Sequence, residues 1–138
     1  MNICSLILVF LFSFYNAPAT YTADGKASYY SDRMHGQRTS SGERYDKTKL
    51  TAAHATLPLN TKVRVTNLNN GKSVIVKIND RMSRRSHTLI DLSKAAAKEL
   101  DIIRAGYGRV RLKEVKKEEA EQQDKPLAVS ETAATSPK

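Results

Sequence analysis

The stretch from Lys62 to Ile78 constrains this chain more than any other. Lys62-Val63-Arg64-Val65-Thr66 alternates polar and apolar residues, and Ser73-Val74-Ile75-Val76-Lys77-Ile78 does so with one interruption. Between them, Asn69-Asn70-Gly71 offers residues that tolerate positive φ. Successive side chains on a strand point to opposite faces, so a period of two joined by such a turn predicts a β-hairpin. Ile75 interrupts the alternation with an apolar residue, which predicts burial on both faces of its strand.

The same period places shorter strands at Lys26–Tyr30, around Leu50–Ala53, at Thr88–Ile90 and at Arg109–Lys113, where Val110 and Leu112 face one way and the basic residues the other. One helix fits, Lys94–Leu100, rich in alanine and preceded by Ser93 or Asp91 as N-cap. About six short strands and one helix in some ninety residues predict a mainly β fold, a small closed barrel.

The ends of the chain read differently. In residues 1–19 an apolar stretch from Ile3 to Tyr15 is followed by Ala17-Pro18-Ala19. The stretch has the length of a signal-peptide core, is shorter than a membrane span, and is followed by small residues suited to cleavage before Thr20. A retained amphiphilic anchor is the alternative. Cys4 precedes the apolar stretch rather than closing it, which argues against lipidation, and the mature chain would contain no cysteine. The expected organisation is a signal peptide at 1–19, a lead segment at 20–24, one domain at 25–115 and a disordered polar tail at 116–138. The domain carries the charge: residues 24–115 hold 19 basic and 9 acidic side chains. Such a surface attracts polyanions. In an exported protein the carboxylate- and phosphate-bearing cell envelope is the expected partner, not nucleic acid.

Three groups stand out as candidates for chemistry. Glu43 lies in the turn Gly42-Glu43-Arg44-Tyr45-Asp46, Asp80 ends the strand at Asn79-Asp80-Arg81, and His54 closes Thr51-Ala52-Ala53-His54. Two carboxyls in different environments can divide acid and base roles at a glycosidic bond. Each also has a plain structural reading: Glu43 as a turn residue, Asp80 as a backbone cap, His54 as a buried, hydrogen-bonded core histidine. Tyr29, Tyr30 and Tyr45 could stack on sugar faces, and Asn79 and Arg81, flanking Asp80, could grip hydroxyls or carboxylates of a polymer. His35, His54, His87 and Asp80 lack the short spacing of a metal motif, so neither a metal nor another cofactor is implied.

Taken in order, these stretches resemble the rare lipoprotein A family. The resemblance runs from Gly25 to about Val115 and includes Gly25-Lys26-Ala27-Ser28-Tyr29-Tyr30, Ser41 to Asp46, Leu50 to His54, Thr56-Leu57-Pro58-Leu59, Asn79-Asp80-Arg81 and Ile90-Asp91-Leu92-Ser93. It implies a six-stranded double-psi β-barrel and an endolytic peptidoglycan lytic transglycosylase that prefers strands without stem peptides. Such an enzyme cleaves between N-acetylmuramic acid and N-acetylglucosamine without water, leaving 1,6-anhydromuramyl ends. The family's acidic pair falls on Glu43 and Asp80, and its histidine on His54.

On this basis Asp80 is the expected proton donor, with Glu43 and His54 keeping it protonated; the reverse assignment is open. The family usually continues Asp-Arg-Gly-Pro where this chain has Asp80-Arg81-Met82-Ser83, a change in the loop beside the cleft. Neither a lipidation signal nor a C-terminal domain that binds denuded glycan is expected, and a monomer is the default. The rival expectation is a non-catalytic, expansin-like wall-binding barrel.

Overall fold

The computed structural model describes residues 20–116, 121 and 123. The predicted signal peptide lies outside the described residues, as does nearly all of the predicted tail. Six strands, β1 (Thr22–Tyr29), β2 (Thr51–His54), β3 (Lys62–Asn67), β4 (Ser73–Asp80), β5 (Ile90–Leu92) and β6 (Gly108–Glu114), close into a barrel in the order β1-β5-β2-β4-β3-β6. The pairs β1/β5 and β2/β4 are parallel and the other four are antiparallel. This is the double-psi β-barrel, to which the described residues add a helix, α1 (Lys94–Glu99), and a 3-10 turn at Asp32–Met34.

The hairpin β3–β4 forms where the alternation predicts it. Val63, Val65, Val74, Val76 and Ile78 point inward with Ile90, Leu92, Val110 and Leu112, all but sealed from solvent. Burying each of these side chains contributes roughly 1.5–3 kcal/mol, so the barrel interior is the main source of stability. Ile75 is buried as well. The Gln123 side chain closes on its backbone, accepting from the Ile75 N–H at 2.9 Å and donating to its carbonyl at 3.2 Å.

The turn is wider than the two-residue form. Only Gly71 of its three candidates takes positive φ, and its N–H bonds to Asn67 O at 2.8 Å. Asn67 and Asn70 both donate from their side chains to Leu100 O, tying the turn to the end of α1.

Two boundaries differ from the sequence expectation. β1 begins at Thr22, inside the predicted lead segment, because β6 runs far enough to pair Thr22 with Lys113. β5 lies at Ile90–Leu92, two residues late, since the Ser86 and Thr88 hydroxyls bond to each other in a local turn. Asp91 is therefore a strand residue. Ser93 is the N-cap of α1, accepting from the Ala96 N–H.

Candidate active site

The site begins with an irregularity in β4. Ala52 of β2 pairs with Ile78, but Ala53 pairs with Asp80, leaving Asn79 as an extra residue in a β-bulge. Ile78 points into the core. On a regular strand Asp80, two residues later, would follow it there, and burying an unpaired carboxylate costs several kcal/mol. The extra residue turns Asp80 to the outer face instead, a common use of bulges beside functional sites.

On that face four side chains form a row across four strands: Ser28 of β1 pairs with Asp91 of β5, Asp91 with Ala53 of β2, and Ala53 with Asp80 of β4. Ala53 is the floor, and beside it Tyr30 and Tyr45 form a small apolar cluster with Met34 and Met82.

Asp80 is surrounded by donors. Tyr30 Oη donates to Oδ2 at 2.7 Å, while Oδ1 accepts from the Ser40 N–H (2.9 Å), the Ser40 hydroxyl (2.8 Å) and the Arg81 N–H (2.8 Å). Burial alone would push its pKa up. The hydrogen bonds more than offset burial and hold the carboxyl below the usual carboxylate range. This corrects the expectation of an Asp80 kept protonated by Glu43 and His54: all of these donors favour the charged form. Burial, and after it the same contact, push the Tyr30 hydroxyl far above its ordinary pKa, so its proton stays in place.

Ser40 and Glu43 come from the loop between Arg38 and Arg44, which is closed by the bonds Thr39 N to Glu43 O and Thr39 Oγ1 to Glu43 O. Ser41 N donates to Asn79 O at 3.2 Å, docking the loop on the bulge. Glu43 itself reaches Lys77 of β4, whose ammonium donates to both carboxylate oxygens at 2.8 and 3.0 Å.

His54 has a different setting. It is buried, and Nδ1 accepts from the N–H groups of Thr56 (3.1 Å) and Leu57 (3.0 Å). Nδ1 therefore carries no proton, and Nε2–H faces Tyr21 Oη at 3.2 Å. Burial, and secondarily the nearby Arg81 cation, lower its pKa and keep the ring neutral. Its carbonyl accepts from Arg81 Nη1 at 2.9 Å.

The three predicted groups are thus gathered around the bulge with separate partners. His54 lines a hollow of about 440 Å³ with Tyr21, Arg84 and His87, whereas Glu43 lines another of about 510 Å³ with His35, Arg44 and Lys49.

The predicted sugar-contacting residues need correction. Tyr29 packs against the main core and donates to Ile103 O at 2.8 Å. Tyr45 is only 2% exposed and accepts from the Lys94 N–H, and Asn79 is likewise buried. Neither Tyr45 nor Asn79 presents a surface to a sugar, whereas Tyr29 stays partly exposed. Tyr30 is buried too, and acts through its hydroxyl on Asp80. Arg81 remains exposed at the edge. Ser40 and Lys77 were not foreseen; the only hint was the hydroxyl-rich Thr39-Ser40-Ser41-Gly42 run. Among the described residues no three His, Cys, Asp or Glu side chains gather to hold a metal ion.

Comparison with known proteins places this arrangement. A family model described as lytic transglycolase matches residues 22–112. The endolytic peptidoglycan transglycosylase RlpA of Neisseria meningitidis serogroup A is 49% identical over 100 residues, covering 72% of this chain and 42% of that protein. The protein of the same name from Pseudomonas aeruginosa strain UCBPP-PA14 is 53% identical over 97 residues, covering 70% and 28%. The chain thus spans less than half the length of these curated relatives. Among solved structures, the Streptomyces papain inhibitor matches with a TM-score of 0.58 at 26% identity, over 72% of this chain and 98% of that one. The apo expansin of Clavibacter michiganensis shares the fold, with a TM-score of 0.58 at 19% identity over 70% of this chain and 52% of its own. By the family model and by identity over most of the barrel, the chain belongs to the rare lipoprotein A family of lytic transglycolases.

Proposed function

We propose that this barrel is an endolytic peptidoglycan lytic transglycosylase, cleaving the bond from N-acetylmuramic acid to N-acetylglucosamine in glycan strands, with a preference for strands stripped of stem peptides. The observation that carries the reading is Asp80, turned outward by a bulge and held as a carboxylate by several donors in a chain of this family.

Asp80 is the base. It takes the proton of the muramic C6 hydroxyl as O6 attacks C1, the bond from C1 to the leaving O4 breaks, and O4 gains a proton. No water is consumed. Glu43, held at the rim by Lys77, supplies negative charge for the positive anomeric carbon of the transition state. His54 is a positioning residue: its neutral ring fixes the end of β2, and its carbonyl anchors Arg81 beside Asp80. The chain is exported by its first nineteen residues, is not lipidated and works as a monomer. Among the described residues no helix is long and apolar enough to cross a membrane. The basic domain suits the anionic envelope.

The test is mass spectrometry of soluble products after incubation with sacculi and with amidase-stripped strands. Wild type yields 1,6-anhydro ends and Asp80→Asn does not. Glycan that pellets with the protein but releases no fragments would refute the enzymatic reading and leave a wall-binding barrel.

A further inference from the structure

We propose that Asp91 is the proton donor of this reaction, acting opposite Asp80 across the Ala53 floor. The assignment rests on the transglycosylase reading and concerns the one step left open by it, the protonation of O4.

The geometry comes from the row on the outer face. Asp91 and Asp80 are the two neighbours of Ala53, one on each flanking strand, and their paired positions direct their side chains to the same face. Two inter-strand spacings separate their Cα atoms by about 10 Å. Ala53 itself is sealed beneath the Tyr30 and Tyr45 cluster, while Asp80 and Asp91 on either side of it both stay partly exposed, so a sugar would meet the two carboxyls from above this floor.

Their surroundings differ in the way an acid and a base require. Asp80 accepts several hydrogen bonds, whereas Ser28 Oγ donates to Asp91 Oδ1 at 3.1 Å. Burial raises the Asp91 pKa, Ser28 opposes this, and the Asp80 charge adds to the rise. The titratable groups around Asp91 are Asp80 from β4, Tyr30 from the end of β1 and Tyr45 from the following loop. Two carboxyls driven in opposite directions by their environments can divide acid and base work.

The other groups of the site are engaged otherwise. Glu43 gives both oxygens to Lys77, the Nε2–H of His54 faces Tyr21, and the Tyr30 hydroxyl keeps its proton and donates it in a hydrogen bond to Asp80. In the step, the Asp91 O–H bond breaks as its proton joins O4, and Asp91 becomes a carboxylate while Asp80 becomes neutral. The cycle closes when Asp80 loses its proton to solvent and Asp91 recovers one.

The experiment compares wild type, Asp91→Asn, Asp91→Glu and Ser28→Ala for release of anhydro ends across pH, with glycan pelleting and thermal melting alongside. Asp91→Asn should lower the rate by roughly 10²- to 10⁴-fold while still pelleting and melting cooperatively, and Asp91→Glu should recover part of the rate. Ser28→Ala removes a bond that favours the charged form, so the alkaline limb should move to higher pH. A merely structural Asp91 would not move that limb.

Active wild type with an equally active Asp91→Asn, or an unmoved limb in Ser28→Ala, overturns the role of Asp91 alone. Wild type that releases no anhydro ends overturns the enzymatic reading and this role with it. Should Asp91→Asn fail to fold, Ser28→Ala and Asp91→Glu decide the question.

Discussion

Tyr30→Phe isolates a single contact at the centre of the site. It keeps the ring, which packs edge-on against Tyr45 with centroids 4.6 Å apart, and deletes the hydroxyl that donates to Asp80 at 2.7 Å. A hydrogen bond to a charged group contributes about 1.5–3 kcal/mol. Asp80 keeps its three bonds at Oδ1 and is partly exposed, so water can reach the abandoned oxygen. The lower end of that range is the appropriate figure, about 1.5 kcal/mol, or a fall in melting temperature of roughly 6–12 °C for a domain of this size. The sign with pH follows from linkage. A carboxyl whose folded pKa is depressed contributes stability above its unfolded pKa and loses it as pH falls through the folded one. Removing Tyr30 Oη raises the folded value toward the unfolded one. The melting deficit of the variant should therefore be full at neutral pH and shrink once Asp80 is protonated in both proteins. In turnover, the acid limb should move to higher pH, because Asp80 works as a carboxylate. Melting curves and anhydro-product rates measured over the same pH series test both statements. A deficit that stays constant with pH, together with an unmoved acid limb, would show that Tyr30 merely fills space and that Asp80 owes nothing to its hydroxyl.

Two further substitutions test the frame around the site. His54→Ala strands the buried N–H of Leu57 and the N–H of Thr56, which predicts a loss of about 2–5 kcal/mol in a denaturant titration. His54→Asn places an acceptor near the Nδ1 position and should recover much of both stability and turnover; an inactive but stable His54→Asn would instead make the imidazole a participant in the reaction. Gly108→Ala would set its Cβ 2.6 Å from Ile102 Cγ2, an overpacking worth about 1–3 kcal/mol by thermal melt. Turnover per folded molecule should be unchanged.

What was legible in the sequence is what nearest neighbours along the chain decide. The β3–β4 hairpin shows as alternation because Val63, Val65, Val74 and Val76 share one sealed face. Gly71 and the asparagines around it mark the turn, and the alanines after Ser93 mark the helix. Contacts between distant segments were not visible. Thr22 joins β1 only because Lys113 lies opposite, and Asp91 belongs to a three-residue strand too short to establish a period. The tyrosines show the same limit. As residue types Tyr30 and Tyr45 suit sugar stacking, yet the chain folds over both rings and buries them. For His54 both readings were open, and the bonds from Thr56 and Leu57 favour the buried, satisfied one. The bulge is the instructive case: Ile78-Asn79-Asp80 on a regular strand would turn Asp80 inward, and only the register against Ala52 and Ala53 reverses it.

That register also bears on the altered loop after Asp80. Two hydrogen bonds tie the loop to the site, the Arg81 N–H on Asp80 and the Arg81 guanidinium on the His54 carbonyl, and both come before the sequence departs from the family pattern. Met82 then packs against the Tyr30 and Tyr45 cluster, adding apolar surface beneath Asp80. Ser83 turns the chain, with its hydroxyl accepting from the Arg85 N–H and its carbonyl from the Ser86 N–H. Downstream of that turn, Arg84, Ser86 and His87 line the hollow that His54 also borders. The departure therefore leaves the hydrogen bonds to Asp80 in place, while it alters the apolar packing under Tyr30 and reshapes the wall beside the site. Exchanging Met82-Ser83 for Gly-Pro should leave both limbs of the pH profile in place and change which glycan fragments are released. A shifted acid limb would mean that the loop reaches Asp80 by a route other than Arg81.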